Sequence, residues 1–369
     1  MPRRVVRCPP DPEMVAGFRR IRTELDVPAA FAPDVEDEAR RAAAAGPRIP
    51  PGMPQTVRDR RDLPLVAVDP AGSRDLDQAF AAEIRGDGFR VFYAIADVAA
   101  FVEPDGAIDR EARERGVTLY SPDVRSSLHP ETINEQAASL LAGEERQSLL
   151  WTIDLDETGQ IVDAHLERAL VRTTAQLSYL AAQAALDDGS AVPSLALLRT
   201  IGELRLELEA QRGAVHLALP AQEVSRTAGG AFVVEYDESL RVEDWNAQIS
   251  LLTGIAASRI MLDAGVGLLR TLPEPDPRTV DRIRRTARAL GVDWPDGVGY
   301  AERVRRLRPD TPQRAALLSQ AARGLRGAGY VAFADHDPPA QPEHSAIAST
   351  YAHVTACLLY TSPSPRDHG

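Results

Sequence analysis

From Pro64 onward, short apolar runs that suit strands give way to longer stretches with helical spacing. Leu65 to Asp69 reads as a short buried strand and Pro70 to Ser73 as a turn. Gln78 to Arg85 and Phe89 to Asp97 read as a hairpin around Gly86-Asp87-Gly88, and Leu149 to Leu155 with Gln160 to Arg172 as a second around Asp156-Glu-Thr-Gly159. Ile108 to Gly116 is a charged helix between them. After Thr174 the spacing predicts helices over Ala175 to Leu186 and Leu195 to Gln211, the second stopped by Gly213, then strands over Ala214 to Ser225 and Ala231 to Tyr236. Helices are expected again over Val242 to Ala264, Thr279 to Leu290, Tyr300 to Leu307 and Gln313 to Leu325. Strands come first and helices follow without regular alternation, which predicts an α+β fold: a mixed, largely antiparallel sheet packed with helices.

The ends differ from this body. Residues 1–60 read as an accessory segment, with helices over Glu13 to Leu25 and near Val35 to Ala45 set among Pro28, Pro33, Pro47, Pro50, Pro51 and Pro54. Residues 357–369, Cys357-Leu-Leu-Tyr-Thr-Ser-Pro-Ser-Pro-Arg-Asp-His-Gly369, show no periodicity and read as a non-native tail, such as a sequencing or assembly scar on a truncated gene.

Composition narrows the chemistry. The chain of 369 residues suits roughly two domains or one large one. Cys8 and Cys357 are its only cysteines, so a disulfide framework and a cysteine metal cluster are both excluded. No apolar run approaches the ~20 residues of a membrane span, and the N-terminus carries no signal-peptide apolar core. A cytoplasmic protein without membrane attachment is therefore expected. The basic residues are all Arg, which reflects a GC-rich coding bias, and the net charge of -12 argues against broad adhesion to nucleic acid without excluding a local basic channel.

The densest chemical signal is Asp69-Pro-Ala-Gly-Ser-Arg-Asp75-Leu-Asp77. Asp75 and Asp77 are two apart, which in extended backbone puts both carboxylates on one face, and the Pro-Ala-Gly-Ser return brings Asp69 toward them. Converging carboxylates repel at low dielectric, so such a cluster calls for a divalent cation or several donors. Oxygen ligands of this kind suit Mg²⁺ or Mn²⁺ and phosphate chemistry. The same residues also suit an ordinary polar turn, with Arg74 pairing one of the acids. A nucleotide-sugar transferase using Asp75 and Asp77 on a metal is a third reading, although no nucleotide-binding unit precedes them.

The string Asp69-Pro-Ala-Gly-Ser-Arg-Asp75-Leu-Asp77-Gln-Ala resembles the signature of the RNB catalytic domain of ribonuclease II and ribonuclease R type exoribonucleases. The likeness continues in order through Tyr93-Ala-Ile-Ala-Asp97, Phe101-Val, Ile108 to Tyr120-Ser-Pro, Ala138-Ser-Leu140, Arg172 to Tyr179, Val242-Glu-Asp244, and His344 with Tyr351-Ala-His-Val-Thr355. It assigns residues 61–356 to an RNB catalytic domain that is incomplete at its C-terminus. The resemblance implies a Mg²⁺-dependent hydrolase, with Mn²⁺ as a substitute, that degrades single-stranded RNA from its 3′ end to nucleoside 5′-monophosphates. It implies no protein partner. Asp69, Asp75 and Asp77 become the catalytic and metal-holding candidates, with Gln78 beside them. Tyr120 matches the aromatic that stacks on the terminal nucleotide, Tyr179 a second tyrosine of the RNA channel, and Asp244, next to Glu243, an acidic pair opening a helix. The clusters Arg282-Ile-Arg-Arg285 with Arg288 and Arg303-Val-Arg-Arg306 with Arg308 could line an RNA entrance, or form solvated helix faces.

Four departures stand out. A fourth acid usually follows Asp77, and Gln78 takes that place, which lowers the expected cation affinity or rate. The run after Tyr120 reads Ser126-Ser-Leu-His-Pro130 and Ile133-Asn134 instead of the family's Pro-Met-Leu-Pro to Leu-Ser. The Arg pair expected shortly after Thr355 is replaced by the tail, and the first 60 residues are too short for the two OB-type RNA-binding barrels of the large enzymes. Gln78 and the missing Arg pair keep open an RNA-binding protein of this fold without turnover.

Overall fold

The computed structural model describes residues 6–8, 12–50, 52–215, 217, 221–227, 229–237 and 240–358, so the expected tail beyond Leu358 and part of the strand expected over 214–225 lie outside the described residues. A short strand β1 (Val6–Cys8) and helices α1 (Pro12–Glu24) and α2 (Pro33–Ala45) come first. The main sheet is then laid down by β2 (Arg58–Asp59), β3 (Leu65–Asp69), β4 (Gln78–Arg85) and β5 (Gly88–Ala96). After α3 (Ala107–Arg115) and a small hairpin of β6 (Leu119–Tyr120) and β7 (Arg125–Ser126), it is finished by β8 (Glu145–Leu155) and β9 (Ile161–Ser178). Helices α4 (Tyr179–Asp188) and α5 (Pro193–Arg212), the hairpin β10 (Ala221–Arg226) and β11 (Phe232–Asp237), and the long α6 (Arg241–Ala264) follow. Strand β12 (Gly267–Thr271), helices α7 (Pro277–Ala289), α8 (Tyr300–Arg305) and α9 (Pro312–Ala321), and β13 (Gly329–Phe333) complete the larger elements.

The six strands lie in the order β2-β9-β3-β4-β5-β8, and β9 also pairs with β8, using its first part for β8 and its last part for β3. Only the β2–β9 and β3–β9 pairings are parallel, so the sheet is mixed and largely antiparallel. Period-two alternation sorts its side chains to two cores. Val66, Val68, Phe80, Val91, Tyr93, Ile95, Trp151 and Ile153 pack with Leu198, Ile201, Trp245 and Ile249 of α5 and α6. Leu65, Ala67, Ala79, Ala94 and Leu150 pack on the other face with Val35 and Ala39 of α2 and Ile108 of α3. Cover on both faces explains why Leu65 to Val68 is apolar without a break. Helices α7 to α9 close around a third core of Ile283, Ala287, Val304, Leu317 and Leu318.

Two expectations shift. Residues 175–178 are not the start of a helix: they extend β9, pairing in parallel with β3 up to Asp69↔Ser178. The helix begins at Tyr179, where the Ser178 side chain caps the Ala181 N–H at 3.1 Å, so pairing with a neighbouring strand outweighs helical spacing there. Likewise the helix expected over Gln313 to Leu325 ends at Ala321 and tightens into a 3₁₀ turn over Ala322–Leu325. Cys357 and Leu358, where the tail was expected to begin, pack between and within the two sheet cores.

One glycine fixes the wall beside the site. Gly254 of α6 meets the segment 351–352 backbone to backbone: the Ala352 N–H donates to Gly254 O at 3.0 Å. A Cβ at Gly254 would lie 2.7 Å from Ala352 O and 2.1 Å from Cε2 of the Tyr351 ring. Gly254→Ala is expected to lower stability by about 1–3 kcal/mol despite the better helix former, read as a fall of several degrees in thermal unfolding.

Candidate active site

Strand β3, inside the sheet, carries Asp69 at its C-terminal end, and the chain turns at Pro70 to Ser73 with Gly72 at φ 85, a conformation that favours glycine. The returning loop is pinned from across the sheet. The Ser139 hydroxyl donates to Arg74 O at 2.6 Å and accepts from the Leu76 N–H at 2.9 Å, and the Leu140 N–H donates to Leu76 O at 3.0 Å. Leu76 is fully buried in the second core, which turns its neighbours Asp75 and Asp77 away from that core.

The structure brings the three aspartates together as one electrostatic unit. Burial, then the charge of Asp75, pushes the Asp69 carboxyl up to about 7. Asp77, only 7 % exposed, is pushed up to about 8, by burial first and then by Asp69 and Asp75, against the lowering effect of the Leu358 N–H that donates to its Oδ1 at 2.6 Å. Among the described residues neither Asp69 nor Asp77 has an arginine or histidine ion-pair partner. Asp75 has one, and it is not Arg74. Arg125 donates from Nη1 to Asp75 Oδ2 at 2.9 Å, while Arg74 stands 3.9 Å from Glu135.

Gln78 opens β4 beside the cluster, and both ends of its amide are hydrogen-bonded. Its Nε2 donates to Thr355 O at 2.5 Å, and its Oε1 accepts from the Tyr93 hydroxyl. Tyr93 is buried, and desolvation and the charge of Asp69 hold its phenol far above its usual range, so it stays a neutral donor.

Hard divalent cations take oxygen ligands, and an uncompensated pair of carboxylates such as the half-buried Asp69 and the buried Asp77 is chemically suited to one. Among the described residues, however, no three acidic, histidine or cysteine side chains stand within reach of a single ion. Asp75 is turned to Arg125 and the Gln78 carbonyl to Tyr93. The donor set therefore fits a cation through Asp69 and Asp77, with Asp75 available once it leaves Arg125.

Two aromatic candidates border this cluster. Tyr120, 66 % exposed, lies opposite Arg125 in the β6–β7 pair, and its phenol is held above its usual range by desolvation and then by Asp75. Tyr179, half-buried at the start of α4, is pushed up to about 12 by burial and then by Asp69, and it shares a hydrogen bond with Asn246. Asp244 sits half-buried in the first turn of α6, where Glu243 accepts from the Leu240 N–H at 2.9 Å as a cap. It is Asn246, not Asp244, that reaches Tyr179. The two arginine clusters lie on α7, α8 and the turn after α8, and among the described residues none of their hydrogen bonds or ion pairs touches the carboxylate loop. Asp97 is a structural acid, buried and held by Arg168 at 2.6 Å and Gln147 at 3.0 Å. Arg125, Glu135, Tyr93 and Thr355 were not singled out as site residues from the sequence, and only Tyr93 and Thr355 fell in recognisable strings.

The RNB domain model matches residues 57–358. The chain is 27% identical over 317 residues to the exosome complex exonuclease RRP44 homolog A of Arabidopsis thaliana, covering 81% of this chain and 33% of that protein. It thus spans about a third of that relative's length. In structure it is similar to Mycoplasma genitalium RNase R in complex with ribose methylated single-stranded RNA, at a TM-score of 0.82 and 21% identity over 94% of this chain and 55% of that one. The fold is shared, at a TM-score of 0.68 and 17% identity, by yeast Ssd1, described as a pseudonuclease, over 85% of this chain and 40% of that one. With the aspartate loop, the two-sided sheet and the segment 351–355 all inside the matched span, the chain belongs to the RNB domain family.

Proposed function

We propose that this chain is the catalytic part of a 3′-to-5′ exoribonuclease that hydrolyses single-stranded RNA to nucleoside 5′-monophosphates with Mg²⁺, or Mn²⁺ in its place. The observation that carries the reading is the half-buried Asp69 beside the buried Asp77, two carboxylates that raise each other's cost of ionisation without a cationic side chain, next to an exposed Tyr120. Asp69 and Asp77, joined by Asp75, would hold the cation, which when bound supplies Lewis-acid stabilisation to a phosphoryl group in transfer. Tyr120 offers its open ring to the terminal base, a contact that tolerates any sequence. Tyr179 and Asp244 line the approach from the α4 and α6 side. Water adds to phosphorus, the bond to the 3′ oxygen of the preceding nucleotide breaks, that oxygen takes a proton, and the terminal nucleotide leaves with its 5′ phosphate.

The catalytic unit is assigned to residues 61–356, with 1–60 as an accessory segment; of the tail, Cys357 and Leu358 pack onto that unit and the Leu358 N–H donates to Asp77. Among the described residues no helix is long and apolar enough to cross a membrane; the cytoplasmic location belongs to this proposal. A second reading, RNA binding without turnover, is favoured by one observation: the position after Asp77 is a neutral Gln78 whose amide is already committed to Tyr93 and Thr355.

A 5′-labelled single-stranded RNA incubated with the protein decides between them. A ladder that shortens from the 3′ end with Mg²⁺ and stops with EDTA supports hydrolysis. Retention of full-length RNA in a stable complex under both conditions supports the second reading.

A further inference from the structure

The β6–β7 hairpin that carries Tyr120 has strands of two residues each, and Leu119, Tyr120 and Val124 are all exposed. A hairpin so short, with no apolar cover, is not self-supporting. Three ion pairs hold it, and the Ser126 hydroxyl donates to Pro28 O at 2.6 Å. On the outside, Arg22 of α1 donates to Asp123 in the turn at 2.5 and 3.0 Å. On the inside, Arg125 pairs through Nη1 with Asp75 and through Nη2 with Glu135, and it shares a side-chain hydrogen bond with Tyr120, its cross-strand neighbour. Glu135 belongs to a π-helical turn over Thr132–Ala137, and its side chain, at 13 %, is about as shielded as that of Asp75, at 10 %. Arg125 and Glu135 bracket the stretch in which the sequence departs from the family pattern.

We propose that Arg125 is a positioning residue that locks the stacking tyrosine to the carboxylate loop, so that the terminal base and the reacting phosphate are placed by one rigid junction. The inference rests on the proposed RNA site. A planar guanidinium spans two carboxylates and a phenol at fixed angles; a lysine ammonium of similar charge does not. Because Arg22 still anchors the turn, removing Arg125 leaves the hairpin attached but loosens its register against Asp75.

Binding of single-stranded RNA in EDTA, read by fluorescence anisotropy, tests the junction without any turnover. Tyr120→Ala and Arg125→Gln are each expected to weaken binding about tenfold. The double variant is expected to be no weaker than either alone, and Arg125→Lys to fail to restore affinity. Losses that add in the double variant, or full rescue by lysine, would show that Arg125 contributes only charge and overturn the proposal. So would the absence of RNA binding by the wild-type protein. RNA that binds with this coupling, yet is never shortened when Mg²⁺ is supplied, would overturn the nuclease reading and leave the junction intact.

Discussion

Asp77→Asn is expected to abolish cation-dependent RNA shortening, by roughly 10³-fold or more, while making the cation-free protein more resistant to unfolding at alkaline pH. The two effects have one cause. Asp77 is buried, and burial together with Asp69 and Asp75 pushes its carboxyl up to about 8. An unfolded aspartate titrates near 3.9, so between about pH 4 and 8 the folded protein holds a proton that the unfolded chain has lost. Stability is then fully present below the unfolded value and drains away as pH rises through the folded one. Asn keeps the carbonyl that accepts from the Leu358 N–H and never ionises, so the drain disappears. It also removes the charge a cation needs. Thermal unfolding in EDTA at about pH 6 and about pH 9 checks the sign: the variant's advantage should grow with pH.

Gln78→Glu is expected to move in the opposite direction on both counts. In the cation-free protein a carboxylate would lose the amide donor to Thr355 O and add a fourth acid to an already repelling cluster. Leaving that carbonyl unpartnered costs about 1–3 kcal/mol, and the added repulsion deepens the loss. With a cation present, one more charged ligand tightens binding, by about tenfold. Melting curves with EDTA and with Mn²⁺ should therefore cross: below wild type without the ion, and with a larger upward shift when it is added. Equal shifts in the two proteins would mean that Gln78 lies outside the cation site.

Much of this was legible in the sequence. Both hairpins of the main sheet are announced by apolar alternation around Gly86-Asp-Gly88 and Asp156-Glu-Thr-Gly159, and the aspartate string marks the loop that follows β3. What escaped was set by partners remote in sequence. The stretch 175–178 has helical spacing but is claimed by β3, more than a hundred residues earlier, through parallel pairing. Arg74 adjoins Asp75 in sequence, yet Arg125 takes it, because the short β6–β7 pair turns that guanidinium inward. Gln78 reads as a weakened ligand in the string, and only the fold shows its amide held between Tyr93 and Thr355. Strands β12 and β13 are short and flanked by loops, and each exists because the other lies beside it.

The central claim is that Asp69 and Asp77, with Asp75, hold the cation. Calorimetric titration of Mn²⁺ into the protein at about pH 6 and about pH 8.5 tests it most directly. The expected result is tighter binding at the higher pH, proton release at the lower one, and loss of binding in both Asp69→Asn and Asp77→Asn. Affinity that is the same at both pH values and unchanged by either substitution would contradict it.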